Sequence, residues 1–458
     1  MAEPICSRWI GQAERPVPRY TSYPTAHCFT PEVTPASYAS WLSDLSGPIA
    51  LYVHFPFCFE RCNYCACNVI ATRHQDAAAG YLTLLDREAL AVSEKFREQP
   101  HVTRMHWGGG TPTYYSPQQI ERAMKSIRSR FDLASDAEIS VEADPRVTTR
   151  EQLQTLGNLG FNRLSVGVQD FAPAVQAVIG RAQSAETTRR VIHNARSLGF
   201  GSVNVDLVYG LPLQSVQRIE GTMRSVIEMR PDRVAIYGYA HVPELVAHQR
   251  KIDTATVPGV ELRWKLEETA REMLVGAGYA QVGLDHFALP TDSLADAARH
   301  RTVHRDFMGY TTRRNPTQIG LGVSSISELP QGLVQNVKKI SAYQSALDQG
   351  LLPTARGCVT DADDLIRRDL IQHLMCDLEL RFAEIERVHG VRFTEYFAAE
   401  LKELHGPGGL VSLGIVRQTG IGLVIDPSAR CLVRNVCYLF DRRARAAHVS
   451  AQQMSSAI

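Results

Sequence analysis

Short segments in which apolar and polar residues alternate recur along the first half of the chain. Between residues 138 and 144, for example, Ile139 and Val141 alternate with Ser140 and Glu142. Alternation with a period of two predicts a β-strand, because successive side chains of a strand point to opposite faces. The pattern predicts six strands, at residues 50–55, 104–107, 138–143, 163–169, 202–208 and 233–239.

Segments with helical spacing of apolar residues separate these strands, for example residues 81–97, 116–131, 151–159 and 185–198. Strands that alternate with helices predict a parallel sheet covered by helices. Gly160, Gly199 and Gly278 each follow a helical segment and precede an apolar aromatic residue, as expected of a helix C-terminal stop. The recurring strand–helix unit predicts an incomplete (β/α)6 barrel.

The polar faces of these strands carry Glu142, Gln169 and Asp206. Helices require the apolar face, so we expect the polar face to line the barrel interior and to bind something there, since unpaired buried charge is costly. An antiparallel sheet with its polar face in water would show the same alternation, but the long helical connections favour the barrel. Barrel enzymes place their chemistry at the C-terminal strand ends, where these residues are expected.

The length of 458 residues predicts more than one domain. We predict an arm at residues 1–48 that contributes to the active site, a barrel at 49–350 and a C-terminal module at 351–458. A helix at 361–380, another at 393–404, a hairpin-like segment at 410–425 and a helix at 428–445 predict a winged-helix-like α+β fold for this module. Such folds can bind DNA, but the basic residues near 442–445 also suit a helix C-terminus.

The charge balance and the apolar pattern limit the partners. The net charge of +1 provides no general attraction to nucleic acid or to an acidic membrane. No apolar stretch has the length of a membrane span, and the N-terminus lacks the apolar core of a secretory signal. The ten cysteines are therefore expected to be reduced thiols in the cytoplasm.

Four of these cysteines lie within residues 58–67, directly after the first predicted strand. Cys58, Cys62 and Cys65 have the spacing C-x3-C-x2-C, and Cys67 follows one residue later. Such spacing is typical of iron–sulfur ligands, and three thiolates would leave one iron of a 4Fe-4S cluster open. A structural zinc site, a disulfide knot or chance clustering are the alternatives; a second C-x2-C and a secretory context are both missing.

Three glycines end the second predicted strand in the sequence Trp-Gly-Gly-Gly-Thr-Pro at residues 107–112. A glycine run allows close approach of a ligand to the backbone, although it also suits a plain turn. The run lies one strand–helix unit after the cysteine loop, and this position favours the interpretation that it binds a ligand. No G-x4-G-K-[ST] or G-x-G-x2-G pattern occurs, so a nucleotide phosphate loop is not supported.

Residues 52–58, the cysteine triplet and residues 107–112 together resemble the radical S-adenosylmethionine (SAM) superfamily. The Cys-Ala-Cys at residues 65–67 and the Arg-Tyr-Thr-Ser-Tyr-Pro-Thr at residues 19–25 resemble, more narrowly, the oxygen-independent coproporphyrinogen III oxidase family. The resemblance implies a six-stranded partial barrel whose mouth is covered by the C-terminal module.

The resemblance also implies the site residues. Cys58, Cys62 and Cys65 would ligate the cluster, whereas Cys67 would serve catalysis without ligating it. One SAM, its amino group at the glycine run, would contact Tyr52, Gly109 and Glu142, and Tyr52 would also be catalytic. A second SAM would contact Tyr64, Gly110, Thr111, Gln169, Arg181, Asp206, Ala240 and Ile326. Tyr64 and Ile326 could instead be hydrophobic anchors, and Arg181 a solvated helix residue.

The implied reaction converts two propionate groups of coproporphyrinogen III to vinyl groups and gives protoporphyrinogen IX. A flavodoxin or ferredoxin system would supply electrons to a monomeric chain. Arginines suit the carboxylates of this substrate, and the candidates are Arg19, Arg301, Arg305, Arg313 and Arg314. His241 and His286 could face the site or be hydrogen-bonded core residues. The alternatives are a haem-binding relative, either a chaperone or a haem-degrading protein, and a non-enzymatic cluster sensor that binds DNA.

Overall fold

A computed structural model describes residues 7–315, 317–446 and 455–458. Residues 1–6 of the predicted arm and residues 447–454 of the predicted C-terminal module lie outside the described residues. The chain builds a twelve-stranded sheet. Its strands are β1 (Ile49–Phe55), β2 (His101–Gly109), β3 (Asp132–Ala143), β4 (Arg163–Gln169), β5 (Ser202–Tyr209), β6 (Arg233–Gly238), β7 (Ala280–Val282), β8 (His286–Ala288), β9 (Gln318–Leu321), β10 (Ile326–Leu329), β11 (Gly332–Asn336) and β12 (Thr354–Val359).

Strands β1 to β6 are parallel and lie side by side in chain order. Strand β9 adds a seventh parallel strand on the other side of β1, while the remaining strands pair antiparallel at the two ends. The prediction of an incomplete barrel with six strand–helix units is therefore confirmed. The sequence pattern missed β9, which has only four residues, too short a run to stand out.

Helices connect the parallel strands. They are Gln75–Ser93, Pro117–Arg128, Arg150–Asn158, Pro173–Ile179, Ala185–Ser197, Val216–Met229 and Val260–Gly276, followed by the shorter Ser293–Arg299 and by Ile340–Asp348. Each of Gly160, Gly199 and Gly278 has a φ near +88° and ends a helix, as predicted. Within the described residues, no helix is long and apolar enough to cross a membrane.

The polar faces of the strands line an internal cavity, as the alternation predicts. Near the N-terminal strand ends this lumen is filled by paired charges. Arg104 pairs with Asp306, Arg163 with Glu138, and Arg233 with Asp292 at 2.8 Å. Because each of these guanidinium groups has a carboxylate partner, the charges at this end of the lumen compensate each other. The residues nearer the C-terminal strand ends remain available to a ligand.

The N-terminal arm joins the barrel to the C-terminal module. It contains the helices Ile10–Glu14 and Pro35–Ser43. Trp9 packs on Trp264 with ring centroids 5.7 Å apart, and its indole donates to the carbonyl of Leu413. The short strand Pro16–Val17 pairs with Ser455–Ser456 near the end of the chain. The Tyr20 hydroxyl donates to Asp441 over 3.1 Å.

The C-terminal module has its own sheet of Glu379–Arg381, Val416–Gln418 and Gly422–Ile425. Its helices are Ala362–Asp377, Phe382–His389, Phe393–Tyr396, Ala398–His405, Val433–Leu439 and Arg442–Ala446. Strand β12 lies beyond residue 351 but pairs with β11, so the barrel sheet extends past the predicted domain boundary. The single helix predicted at 428–445 is interrupted before Arg442, where Asp441 accepts from the Ala444 amide over 2.9 Å and from Tyr20.

Glu88 is a buried carboxyl whose titration should be visible in the stability of the protein. It accepts from the Gly322 amide over 2.6 Å, from Asn336 over 2.5 Å and from the Tyr343 hydroxyl. Burial raises its pKa to about 7 from an ordinary value of 4.5. Between these pH values the folded state binds more protons than the unfolded state, so its contribution to stability falls as the pH rises through 7.

We expect Glu88→Gln to lose this pH dependence. On going from pH 5 to pH 8, the free energy of unfolding of the variant should therefore rise by on the order of 2 kcal/mol relative to that of the wild type. Anaerobic urea unfolding at both pH values measures the difference. The exposed Glu121, substituted as Glu121→Gln, is the control and should change nothing with pH. Parallel pH profiles for wild type and Glu88→Gln would contradict the assignment.

Candidate active site

The cysteine loop leaves the C-terminal end of β1 and is held in place by backbone pairing. The short strand Phe57–Cys58 pairs in parallel with Ile70–Ala71, so both ends of the loop are anchored. Inside the loop the Cys65 amide donates to the Cys62 carbonyl over 3.3 Å. Cys62 is buried, whereas Cys58 and Cys65 are partly exposed. The loop therefore carries three thiols at the mouth of the barrel.

Polar and cationic groups surround these sulfurs. The Thr111 hydroxyl lies 3.2 Å from Cys58 Sγ. Arg146 and Arg181 direct guanidinium nitrogens to Cys62 Sγ over 3.8 and 3.7 Å. Both arginines also pair with Asp144, at 2.6 and 3.2 Å. Positive charge at this distance stabilises a thiolate, which is the form that binds iron.

Cys67 lies beside Cys65. The hydrogen bond between the two thiols lowers the pKa of Cys65 to about 7 and raises the pKa of Cys67. In the described part of the chain, no three His, Cys, Asp or Glu residues converge as a single metal ion would require. A cubane attaches its thiolates to separate irons, so the donor set of three cysteines near two arginines fits a cluster.

The glycine segment at the end of β2 lies against the start of the cysteine loop. The Gly110 amide donates to the Phe55 carbonyl over 2.8 Å, and the Thr111 amide donates to the Phe57 carbonyl over 2.9 Å. A Cβ atom at Gly110 would lie 2.7 Å from the backbone of Pro56. Gly109 has φ of +110°, and a Cβ there would lie 2.5 Å from His54 Nδ1. The backbone can approach both the loop and a ligand only because these residues have no side chain.

Glu142 at the end of β3 faces the same place from the lumen. Its carboxylate accepts from the Gly109 amide over 3.2 Å and is 3.1 Å from His106 Nε2. Burial would raise the pKa of Glu142, but His106 and the Gly109 amide hold it below its ordinary value. Tyr52 stacks on His106 at 6.0 Å, and its hydroxyl is 3.0 Å from His54 Nδ1. These groups form one wall of the lumen cavity next to the glycine segment.

Asp206 and Gln169 lie on β5 and β4, the next strands of the sheet after β3. Asp206 accepts from Ser165 over 2.6 Å and from Asn204 over 2.8 Å, and burial raises its pKa. Gln169 has a left-handed backbone with φ of +71° and directs its side-chain amide towards Gly167. A strained non-glycine residue at a strand end is typical of functional sites.

Arg181 is 7% exposed, so the alternative of a solvated helix residue is wrong. Besides Cys62 and Asp144 it donates to the Gly167 carbonyl over 2.6 Å, which links the cysteine loop to β4.

Tyr64 and Ala240 lie together on the other side of the cysteine loop. The side-chain amide of Gln249 donates to the carbonyls of Tyr64 and Ala240 over 2.9 and 3.0 Å. The Tyr64 ring also packs against the cluster that includes Val175 and Ile179. Gln249 is fully buried, and no motif in the sequence distinguished it. Only the fold reveals that it holds these two segments together.

Ile326 lies at the start of β10, with its side chain packed among Phe29, Leu333 and Cys358. Its backbone closely approaches Gly320, which pairs with Tyr52 across β9 and β1. The side chain of Ile326 therefore makes the contacts of a core aliphatic residue. Its backbone is separated from β1, the strand of Tyr52, by the single strand β9.

The predicted histidines both have hydrogen-bond partners. His286 Nδ1 is 2.8 Å from Asp285, and its side chain lines the lumen. His241 Nδ1 is 3.0 Å from the Tyr239 hydroxyl, and its other nitrogen is 3.1 Å from Thr254. His286 thus belongs to the lumen wall, whereas His241 stabilises the loop after β6.

Four of the five candidate arginines pair with carboxylates. Arg305 forms two hydrogen bonds to Asp285 at 3.1 and 3.2 Å. Arg301 pairs with Asp377, Glu379 and Glu384, Arg313 with Asp136, and Arg314 with Asp369. Arg19 alone among the five has no carboxylate partner within the described residues. It donates to the Gly238 carbonyl over 2.9 Å and lines a cavity at the end of β6.

The conformation of Gly109 gives a test of this geometry. We expect Gly109→Ala to lower the free energy of unfolding by about 2 kcal/mol or more, because the new methyl group meets the His54 ring in a left-handed backbone. His54 cannot withdraw easily, since its ring is held between Tyr52 and the Asn68 carbonyl. SAM binding, followed by equilibrium dialysis, should weaken at least tenfold.

Gly80→Ala is the matched control, because a Cβ at Gly80 in the helix Gln75–Ser93 meets nothing within 4 Å. It should stabilise the chain by about 0.5–1 kcal/mol and leave SAM binding unchanged. Similar effects of the two substitutions would show that the Gly109 backbone imposes no special constraint.

Comparison with known proteins agrees with this architecture. The family model of the Radical SAM superfamily matches residues 52–226. The structure of coproporphyrinogen III oxidase from Escherichia coli, described as a radical SAM enzyme, superposes with a TM-score of 0.88 at 40% identity and covers 93% of this chain and 97% of that one.

Two curated relatives extend the match over nearly the whole chain. The oxygen-independent coproporphyrinogen III oxidase of Salmonella typhimurium is 41% identical over 429 residues, or 93% of each chain. The enzyme of the same name from Pseudomonas aeruginosa is 41% identical over 430 residues, again 93% of each chain. The chain therefore belongs to the radical SAM superfamily and, within it, to the oxygen-independent coproporphyrinogen III oxidase family.

Proposed function

We infer that the chain catalyses the oxygen-independent oxidative decarboxylation of coproporphyrinogen III to protoporphyrinogen IX, a step of haem biosynthesis. The observation that carries this inference is the contact of Thr111 with Cys58, which brings the glycine segment onto the cysteine loop. The cysteine loop, which would bind a cluster, and the glycine segment, whose backbone can contact a ligand, therefore belong to one site. The relatives named above supply the substrate.

Cys58, Cys62 and Cys65 hold a 4Fe-4S cluster in this proposal, with Arg146 and Arg181 offsetting its negative charge. A bound, reduced cluster with SAM would supply the radical chemistry, with a 5′-deoxyadenosyl radical as the species that takes a hydrogen atom from the β-carbon of a propionate. Loss of CO2 and of one electron to an acceptor then leaves a vinyl group. Two rounds act on two propionates. The chain's residues orient the reactants and exclude water.

For the first SAM, the binding residues are Tyr52, Gly109 and Glu142, which meet at one end of the lumen. The ionised Glu142 and the bare backbone of Gly109 suit the amino group of its methionine portion. For a second SAM, the proposed contacts are Tyr64, Gly110, Thr111, Gln169, Arg181, Asp206, Ala240 and Ile326. Most of these surround the same mouth; Ile326 contributes through its backbone position beside β9.

Further expectations concern the surroundings of the enzyme. Electrons come from a flavodoxin or ferredoxin system, and the chain acts as a monomer without nucleic acid or membrane. The arm reaches the active site through Arg19, and the C-terminal module covers the mouth. Because thiolate ligands must stay reduced, the proposed compartment is the cytoplasm.

Product analysis under strict anoxia tests the function. Reconstituted protein with coproporphyrinogen III, SAM and a reductant should release two CO2 per substrate and form one 5′-deoxyadenosine per vinyl group. Omission of SAM should abolish both products. Tight haem binding without decarboxylation would support a haem-binding relative instead, and salt-dependent binding to duplex DNA would support the sensor.

The roles of the four cysteines can be separated. The variants Cys58→Ser, Cys62→Ser and Cys65→Ser should each lose the cubane absorption and all turnover, because the two remaining thiolates cannot hold the cluster. Cys67→Ser should keep the absorption and the electron paramagnetic resonance signal while turnover falls at least tenfold. Cys437→Ser is the control, since this buried thiol lies in the C-terminal module and should leave the cluster intact. Loss of the cluster in Cys67→Ser would make Cys67 a ligand.

A further inference from the structure

A second cavity lies beside the lumen, on the far side of Tyr237. The Tyr237 side chain lines both cavities, so they share one wall. The arm, the ends of β5 and β6, the helix Val260–Gly276 and the C-terminal module each contribute to the second cavity, which we call the arginine cavity. Its cationic residues are Arg19, Arg263, Arg305 and Arg434.

Arg19 and Arg263 are attached to neighbouring carbonyls at the end of β6. Arg19 donates to Gly238 and Arg263 donates to Tyr239, each over 2.9 Å. Neither arginine has a carboxylate partner within the described residues. The Nε atom of Arg263 is buried and has no hydrogen-bond partner there. Each guanidinium group is therefore held by one carbonyl and has further donors that a ligand can bind, those of Arg19 being exposed to solvent.

The acids that line the arginine cavity are already paired. Asp285 pairs with Arg305 at 3.1 Å, and Glu267 pairs with Arg430 at 2.6 Å. The cavity therefore carries a surplus of positive charge. Burial and the neighbouring Arg19 lower the pKa of Arg434 to about 10, and burial followed by the charge of Arg19 lowers the pKa of Arg263. Burial is the larger cause of both shifts, and repulsion from Arg19, which an anion would relieve, is a smaller one.

Hydroxyl groups complete the arrangement. The Tyr209 and Tyr237 rings line the cavity, and within the described chain their hydroxyls have no hydrogen-bond partner. The Tyr209 hydroxyl would lie 2.9 Å from a Cβ placed on Gly238, beside the carbonyl that Arg19 holds. Fixed guanidinium groups with adjacent hydroxyl donors match the oxygens of carboxylates.

We propose that the arginine cavity binds the propionate carboxylates that do not react in a given turnover, with Arg19 and Arg263 as their direct partners. The proposal rests on the proposed function, because the substrate is taken to be coproporphyrinogen III. The shared wall at Tyr237 places these carboxylates next to the lumen, so the reacting propionate can extend towards the cysteine loop. The guanidinium groups fix the orientation of the macrocycle and take no part in the radical chemistry.

Arg19→Gln and Arg263→Gln test the proposal. Each should raise KM for coproporphyrinogen III about tenfold or more, as expected when a charge-assisted hydrogen bond is lost, with a smaller change in kcat. Arg263→Lys should recover part of the affinity, because it keeps the charge without the fork of donors.

A binding measurement separates this proposal from the proposed function. Coproporphyrin III has the same four carboxylates but is already oxidised, and its fluorescence can follow binding to the cluster-loaded protein. The two glutamine variants should weaken its binding about tenfold, while the tetramethyl ester should bind equally to wild type and variants. Arg189→Gln, on the exposed face of the helix Ala185–Ser197, is the control and should match the wild type.

Equal binding of coproporphyrin III to wild type, Arg19→Gln and Arg263→Gln would overturn the assignment. So would a parallel loss of affinity for the acid and the ester, since that indicates a structural defect. A wild-type protein that binds coproporphyrin III through these arginines but forms no vinyl product would disprove the proposed function and leave the carboxylate site standing.

Discussion

The parallel pairing of β1 with β2 is the constraint on which the rest of the site depends. In this register the last residues of β1 lie beside Gly108 and Gly109. The amides of Gly110 and Thr111 continue the pairing onto the carbonyls of Phe55 and Phe57. The cysteine loop and the glycine segment are thus held together by backbone hydrogen bonds, to which the contact of Thr111 with Cys58 adds a side-chain link. Because a register slip would separate them, the register of one strand pair determines whether the site exists.

The lumen is polar throughout, yet its two ends differ in how that polarity is satisfied. Towards the N-terminal strand ends, arginine–carboxylate pairs such as Arg233 with Asp292 fill the space. Towards the C-terminal ends, Glu142 and Asp206 accept only from neutral donors or from histidine. The arginine–carboxylate pairs fill the N-terminal end of the lumen, whereas Glu142 and Asp206 can still accept hydrogen bonds from a ligand. The arginine cavity has the opposite character, with donors in surplus.

Sequence reasoning succeeded where the relevant signal is local. Strand alternation located the polar lumen, and the spacing of Cys58, Cys62 and Cys65 indicated a cluster, because both patterns lie within a few consecutive residues. It failed where a residue acquires its role from distant contacts. Gln249 joins two segments through its side-chain amide, and Arg263 in an ordinary amphipathic helix looks like a solvated cation. The break before Arg442 depends on Tyr20, more than 400 positions away.

The pairing of Pro16–Val17 with Ser455–Ser456 has a consequence for synthesis of the chain. The arm leaves the ribosome first, but its partners Asp441, Leu413 and Ser456 are made last. While the barrel folds, Trp9 can already pack on Trp264, but Tyr20 and the strand Pro16–Val17 lack their partners until translation ends. Joining of the two termini is therefore a late step of folding, because it follows synthesis of residues 455–456.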